Sequence, residues 1–138
     1  MKVDVQDILA PVKGLLDFMK TGDQRHLTDV FAPSEVIIFD SFLPHTFIGT
    51  QAWERWAEAF SQSMKSRRVL DLHYELGRPQ LVTRGTDSAY CSVPVNWTGS
   101  SKDKRFVEVG AIAVVLTRAS DRWLIRNLSW AVVDYSTA

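Results

Sequence analysis

Two residues in the first third of the chain have types and spacing suited to proton transfer: Asp40 and His45, five positions apart around a proline-containing loop. Asp40 closes the apolar run Val36-Ile37-Ile38-Phe39, and His45 closes Ser41-Phe42-Leu43-Pro44. Beyond Gly49, the residues Trp53, Trp56, Ala57, Phe60 and Met64 recur at helical spacing, with Glu54, Arg55 and Glu58 off the stripe. A carboxylate at the mouth of an apolar strand, facing an aromatic helix, is desolvated; its pKa rises and it becomes a better general base near neutral pH. Asp40 is the candidate base and His45 the candidate relay. Ordinary roles stand beside these: Asp40 capping its loop through the N–H of Phe42 or Leu43, and His45 as a solvated loop residue. Trp53, Trp56 and Phe60 read first as core and second as the wall of a cavity, because aromatic rings supply much of a core's buried area.

Further polar candidates lie in the C-terminal half. In the last β-rich run, Trp123, Ile125, Asn127, Ser129 and Ala131 share one face, while Leu124, Arg126, Leu128, Trp130 and Val132 share the other. Tyr90 and Asn96 share a face of an earlier strand and Glu108 lies on the next, but parity alone does not say which of them turn inward. Cys91 reads as a small buried hydrophobe. His26, His45 and His73 show no ligand spacing, so no metal site is expected.

The elements that must position these groups follow from periodicity. Ile8, Leu9, Val12, Leu15, Leu16 and Met19 predict a first helix over about Asp4 to Lys20, kinked or started by Pro11. Thr21-Gly22-Asp23 reads as a glycine stop and an N-cap, opening a short second helix through Leu27, Val30 and Phe31 that Pro33 ends. After the tryptophan helix come four β-rich runs: Val69 to Val82, Ser88 to Thr98, Arg105 to Arg118, and Trp123 to Asp134. The turns between them are too short for crossover helices, so these runs form an antiparallel meander. Strands this long twist and coil, wrapping the sheet around the helices.

With 138 residues, 16 Lys+Arg and 16 Asp+Glu, the chain predicts one domain over 1–138 with no net charge. No basic field exists to neutralise phosphates, which argues against nucleic acid as a partner. The longest apolar stretch, Val109 to Leu116, is too short to span a bilayer, and the N-terminus lacks the apolar core of a secretory leader. A cytoplasmic, non-membrane protein is expected.

The order helix, short helix, strand ending in Asp, Pro-His loop, Gly, Trp helix and meander resembles the nuclear transport factor 2-like superfamily, in its SnoaL-like, ketosteroid-isomerase-related branch. The carrying residues are Phe39-Asp40-Ser41-Phe42-Leu43-Pro44-His45-Thr46-Phe47-Ile48-Gly49, Ala52-Trp53, Trp56, and Asp121-Arg122-Trp123-Leu124-Ile125. The resemblance implies an α+β cone, with three N-terminal helices on a strongly curved mixed sheet that ends in the four-strand meander. It also implies a pocket for a hydrophobic small molecule, with Asn127 and Ser129 on the inner face as hydrogen-bonding anchors. Trp53, Trp56, Phe60, Tyr90 and Glu108 are then candidate lining residues. Many relatives carry two histidines where Asn127 and Ser129 stand, and the steroid isomerases use a tyrosine on the first helix where this chain offers Phe18. The implied function is cofactor-independent acid–base chemistry, of isomerase, cyclase or dehydratase type, on a hydrophobic carbonyl compound. The alternative is a non-catalytic binding or dimeric interaction domain. With Asn127 and Ser129 turned inward, Leu128, Trp130 and Val132 would form an outer apolar patch, widened by Val114 and Leu116, on which a homodimer is expected.

Overall fold

The apolar stripe of the first seventeen described residues winds them into helix α1, Val5–Thr21, with Ile8, Val12, Leu15, Leu16 and Phe18 out of water. The structure, a computed structural model, describes residues 5–137, so the expected start at Asp4 lies outside them. Pro11 sits within α1. Gly22 ends the helix at φ 75°, a left-handed conformation open to glycine, and its N–H closes on the Phe18 carbonyl at 2.6 Å. Asp23 then caps the next turn, accepting from Arg25 N at 2.9 Å.

The expected second helix is shorter than its pattern: a single 3₁₀ turn, Gln24–Leu27. Asp29 adopts φ 60°, and the backbone of residues 30–32 bonds to the sheet instead of continuing a helix. Ile125 N donates to the Val30 carbonyl, and Ala32 N donates to the Ile125 carbonyl, each at 2.8 Å. Tertiary pairing outcompetes local helix propensity there.

Strands β1 (Glu35–Phe39) and β2 (Thr46–Thr50) form a hairpin, and helix α2 (Ala52–Ser66) carries the tryptophan stripe. The meander follows as β3 (Val69–Leu76), β4 (Leu81–Arg84), β5 (Ser88–Ser101), β6 (Lys104–Ala119) and β7 (Arg122–Thr137). The first β-rich run is thus split in two. Both pieces pair antiparallel to β5, and Gly77 N bonds to the Pro94 carbonyl at the break. The sheet order is β2-β1-β7-β6-β5-β3, with β1 parallel to β7 and every other pairing antiparallel. Two α-helices cover the concave side of this mixed sheet, and the core lies between them.

The inner face of the sheet is set by pairing rows. Val93, Ile112 and Trp130 form one row, and Cys91, Val114 and Leu128 form the next, joined by Ile38 of β1. Apart from Trp130, which is half-buried, all of these are buried. This corrects the parity read from the last strand. Val115 pairs with Asn127 but Leu116 pairs with Ile125, so Arg126 is an extra residue, a β-bulge. Trp123 and Ile125 do face inward, as expected. The bulge then hands the inner face to Leu128 and Trp130 and turns Asn127 and Ser129 outward beside Ile37 and Phe39.

Candidate functional site

Alternation along β1 aims Val36, Ile38 and then Asp40 at the helices, while Phe39 stays 46% exposed on the far side. The hairpin closes with Asp40 N bonded to the His45 carbonyl at 3.0 Å and His45 N to the Phe42 carbonyl at 2.8 Å. Asp40 Oδ1 accepts from the Ser41 N–H at 2.7 Å, and Oδ2 accepts from the indole N–H of Trp56 at 2.8 Å. The local cap therefore comes from Ser41, not from Phe42 or Leu43. The second oxygen is held by a residue on α2.

Trp56 and Phe60 lie one turn apart on the buried stripe of α2, with ring centroids 5.8 Å apart. Phe18 of α1 packs on both, at 5.6 and 5.7 Å, and Phe42 packs on Phe60 at 6.0 Å. The Asp40 carboxyl is thus half-buried against Trp56, with bonds from the Trp56 indole, the Ser41 N–H and, at 3.5 Å, the Ser41 hydroxyl. Burial pushes its pKa above the usual 3.8, while the bonds from Trp56 and Ser41 and the charge of His45 pull the other way. Desolvation wins. His45 is exposed, at φ 75°, and its Nδ1 lies 3.1 Å from the Asp40 main-chain oxygen, not from the carboxylate. In this geometry the ring orders the loop and does not touch the proton it was expected to relay.

A second carboxyl shares the concave side. Glu108 pairs across the sheet with Trp97 on one flank and Tyr135 on the other. Burial raises its pKa; Arg67 opposes the shift, the charge of Asp40 adds to it, and a hydrogen bond from Trp130 opposes it. Indole is a donor only, so Trp130 gives its N–H to Glu108 as Trp56 does to Asp40. Gly110 makes this possible: a Cβ there would stand 2.6 Å from the Trp130 ring. Glu108 borders a small, half-open cavity of about 40 Å³ lined by Met19, Phe60, Met64, Arg67, Val69, Leu72, Trp97 and Phe106. The Arg67 guanidinium lies 5.9 Å over the Phe106 ring, which stacks on Tyr135 at 5.7 Å.

Asp40, Trp56, Phe60 and Glu108 therefore converge on the concave side. Trp53 does not join them; it is half-buried and stacks on Phe31 at 6.0 Å, as core. Tyr90 pairs with outward Val115 and is 36% exposed, so it lies outside the cone. Asn127 and Ser129, expected as anchors, are also outside. Leu128, Val114 and Leu116, expected on an outer patch, are buried inside at 3%, 1% and 0% exposure. Trp130 and Val132 fall on the inner face too, beside Ile112 and Gly110. Sequence reasoning missed Arg67 and Trp97 as lining groups and Trp130 as a partner of Glu108. Only the bulge places Trp130 there, and nothing in the local pattern announces it. Cys91 is buried, its thiol pKa raised by desolvation, as expected of a core residue. Among the described residues no group of three or more His, Cys, Asp or Glu is placed to hold a metal ion. No helix among them is long and apolar enough to cross a membrane.

No protein-family model and no curated protein sequence matches the chain. Solved structures do. Hexachlorocyclohexane dehydrochlorinase LinA-type3 from Novosphingobium barchaimii superposes with a TM-score of 0.77 at 11% identity, over 97% of this chain and 89% of that one. A ketosteroid isomerase-like protein from Erwinia carotovora gives 0.73 at 14% identity, covering 97% and 99%. A nuclear transport factor 2-like superfamily protein from Salmonella enterica gives 0.74 at 16% identity, covering 92% and 89%. The chain has the nuclear transport factor 2-like fold.

Proposed function

We propose that this nuclear transport factor 2-like chain is a small-molecule protein that performs cofactor-independent proton transfer on a hydrophobic carbonyl compound, with Asp40 as the base. The observation that carries the reading is the half-buried Asp40 carboxyl, set against the aromatic cluster through Trp56 and held by hydrogen bonds from Trp56 and Ser41. A carboxylate with a raised pKa is better matched to abstracting a proton near neutral pH than a solvated one. The indole and amide bonds fix its direction, which a base needs in order to meet a C–H or O–H at productive range. His45 acts through the loop, ordering the Asp40 main chain and adding charge near the carboxyl. Glu108 supplies a second polar group on the same side, close enough to feel the charge of Asp40, and Phe60 lines the small cavity at Glu108.

The dehydrochlorinase and isomerase-like neighbours share only the fold, and a fold hosts many chemistries. The test is turnover: enolisable hydrophobic ketones offered in deuterated buffer, with exchange at the α-carbon followed by NMR. Exchange by wild type that falls about a hundredfold or more in Asp40→Asn, on the scale of losing a general base, supports the reading. Exchange that survives the substitution removes it.

The second reading is a dimeric binding or interaction domain, favoured by how completely Phe18, Trp56, Phe60, Trp97 and Trp130 fill the cone. Its interface would be the outer sheet face, now composed of Ile37, Phe39, Ile48, Ala113 and Val115 in place of the residues first expected. Ile48 and Phe39 are 52% and 46% exposed there, and apolar groups interleaved with the polar Asn127 and Ser129 suit a self-complementary contact.

A further inference from the structure

The cavity at Glu108 adjoins a second, open space. A groove of about 460 Å³ runs between the end of α1, α2 and β3, and it shares Met19, Phe60, Met64, Val69 and Leu72 with the cavity wall. The two spaces differ in chemistry. The inner cavity has two ionisable groups, Arg67 and Glu108, which feel each other's charge without forming an ion pair. At about 40 Å³ it admits one carboxyl-sized group, since a water molecule's share of liquid is roughly 30 Å³. The groove is mixed: Met19, Phe60, Met64 and Leu72 supply an apolar strip, and Lys20, Thr21, Ser61, Lys65 and Asp71 supply polar groups along it.

We infer that the ligand is a slender amphipathic carboxylate, its head between Arg67 and Glu108 and its apolar tail along the Met19–Met64–Leu72 groove. This adds a head-group class to the proton-transfer reading above, on which it rests; Asp40 lines neither space and is linked to them through its charge at Glu108. The guanidinium offers forked donors that match a carboxylate or a carbonyl, and its face is already held against Phe106. Burial raises the Glu108 pKa, and in its protonated form this carboxyl can donate to the second oxygen. Met19 and Met64 supply flexible, polarisable walls that follow a tail of variable shape. Bulky polycyclic compounds do not fit, because Phe60, Trp97 and Trp130 already occupy the cone.

The probe is decanoate, below its micelle concentration, titrated against the tryptophan fluorescence of the full chain. Decanol and decyltrimethylammonium report on the head group, and acetate reports on the tail. Decanoate should bind at least about tenfold tighter than decanol or the ammonium, a factor worth one decade of Kd, and acetate should not bind measurably. Arg67→Gln should lose that preference, and Arg67→Lys should keep part of it. Decanol binding as tightly as decanoate, or an unchanged decanoate affinity in a folded Arg67→Gln, overturns the inference. Asp40→Asn separates the two claims. It should hold decanoate within about threefold, a difference small against the decade at stake. Loss of exchange activity with retained decanoate preference speaks for both claims, and exchange activity without any decanoate preference sinks this one alone.

Discussion

The indole N–H of Trp56 donates to Asp40 Oδ2 at 2.8 Å, joining the middle of α2 to the end of β1. Trp56 is 0% exposed and packs on Phe18, Phe31 and Phe60. One side chain is therefore both the centre of the aromatic core and the group that orients the acid.

Trp56→Phe keeps an aromatic ring but removes the N–H. It should destabilise the fold by about 2–4 kcal/mol, combining a lost bond to an ionisable group with a partly unfilled core. It should also raise the Asp40 pKa further, since that bond opposes the upward shift. Urea unfolding and carboxyl NMR on the same sample check both. A variant as stable as wild type, with an unmoved Asp40, contradicts the role given to this bond.

Asp40 and Glu108 impose a pH dependence of definite sign. Both folded pKa values are raised, from 3.8 and 4.5 respectively. Between those unfolded values and the higher folded ones, the native state holds more protons than the unfolded chain. Stability from these groups therefore falls as pH rises through that window and stays lowered above it. Asp40→Asn removes one such charge, so its stability relative to wild type should improve from about pH 4 to pH 7. Chemical denaturation at both pH values tests it; a relative stability that moves the other way sinks the assignment.

Gly110→Ala should be among the most damaging single-methyl changes in the sheet. Its Cβ would meet the Ala131 carbonyl oxygen and lie 2.6 Å from Trp130, backbone and ring that cannot both retreat. A loss of about 1–3 kcal/mol is expected from overpacking, with a shifted Trp130 environment. Thermal unfolding with near-UV circular dichroism reads both effects, and an unchanged melting temperature would mean the indole does not lie over Gly110.

For the dimer, the outer face predicts which substitution matters. Ala113→Glu places a charge beside Ser129 and outward Phe39 without entering the core, and it should shift a dimer to monomer in sedimentation. Trp130→Glu, by contrast, should unfold the chain, because Trp130 lies on the inner face. A wild type that stays monomeric at tens of micromolar, roughly where a standard interface associates, removes the dimer.

Much of the fold was legible because its signals are local. The Ile8–Met19 stripe, the Trp56–Phe60 stripe and the turn chemistry before Ser88 and Arg122 each state their element directly. Asp40 was legible for the same reason: two inward residues, Val36 and Ile38, fix its parity. Asn127 and Ser129 were misplaced because parity was carried across Arg126, and a bulge leaves no mark in composition. The truncated second helix escaped because the bonds of residues 30–32 to Ile125 are long-range. Glu108 was left open for want of a register with β5, which only the assembled sheet supplies.

The most direct test of the account is the Asp40 titration itself, followed through its side-chain carboxyl carbon in uniformly labelled protein, with Asp40→Asn to assign the signal. The account predicts a midpoint clearly above the ordinary 3.8, because burial outweighs the hydrogen bonds it receives from Trp56 and Ser41. A midpoint at or below that value would mean a solvated or strongly stabilised carboxylate, and Asp40 would then be a loop cap rather than the base.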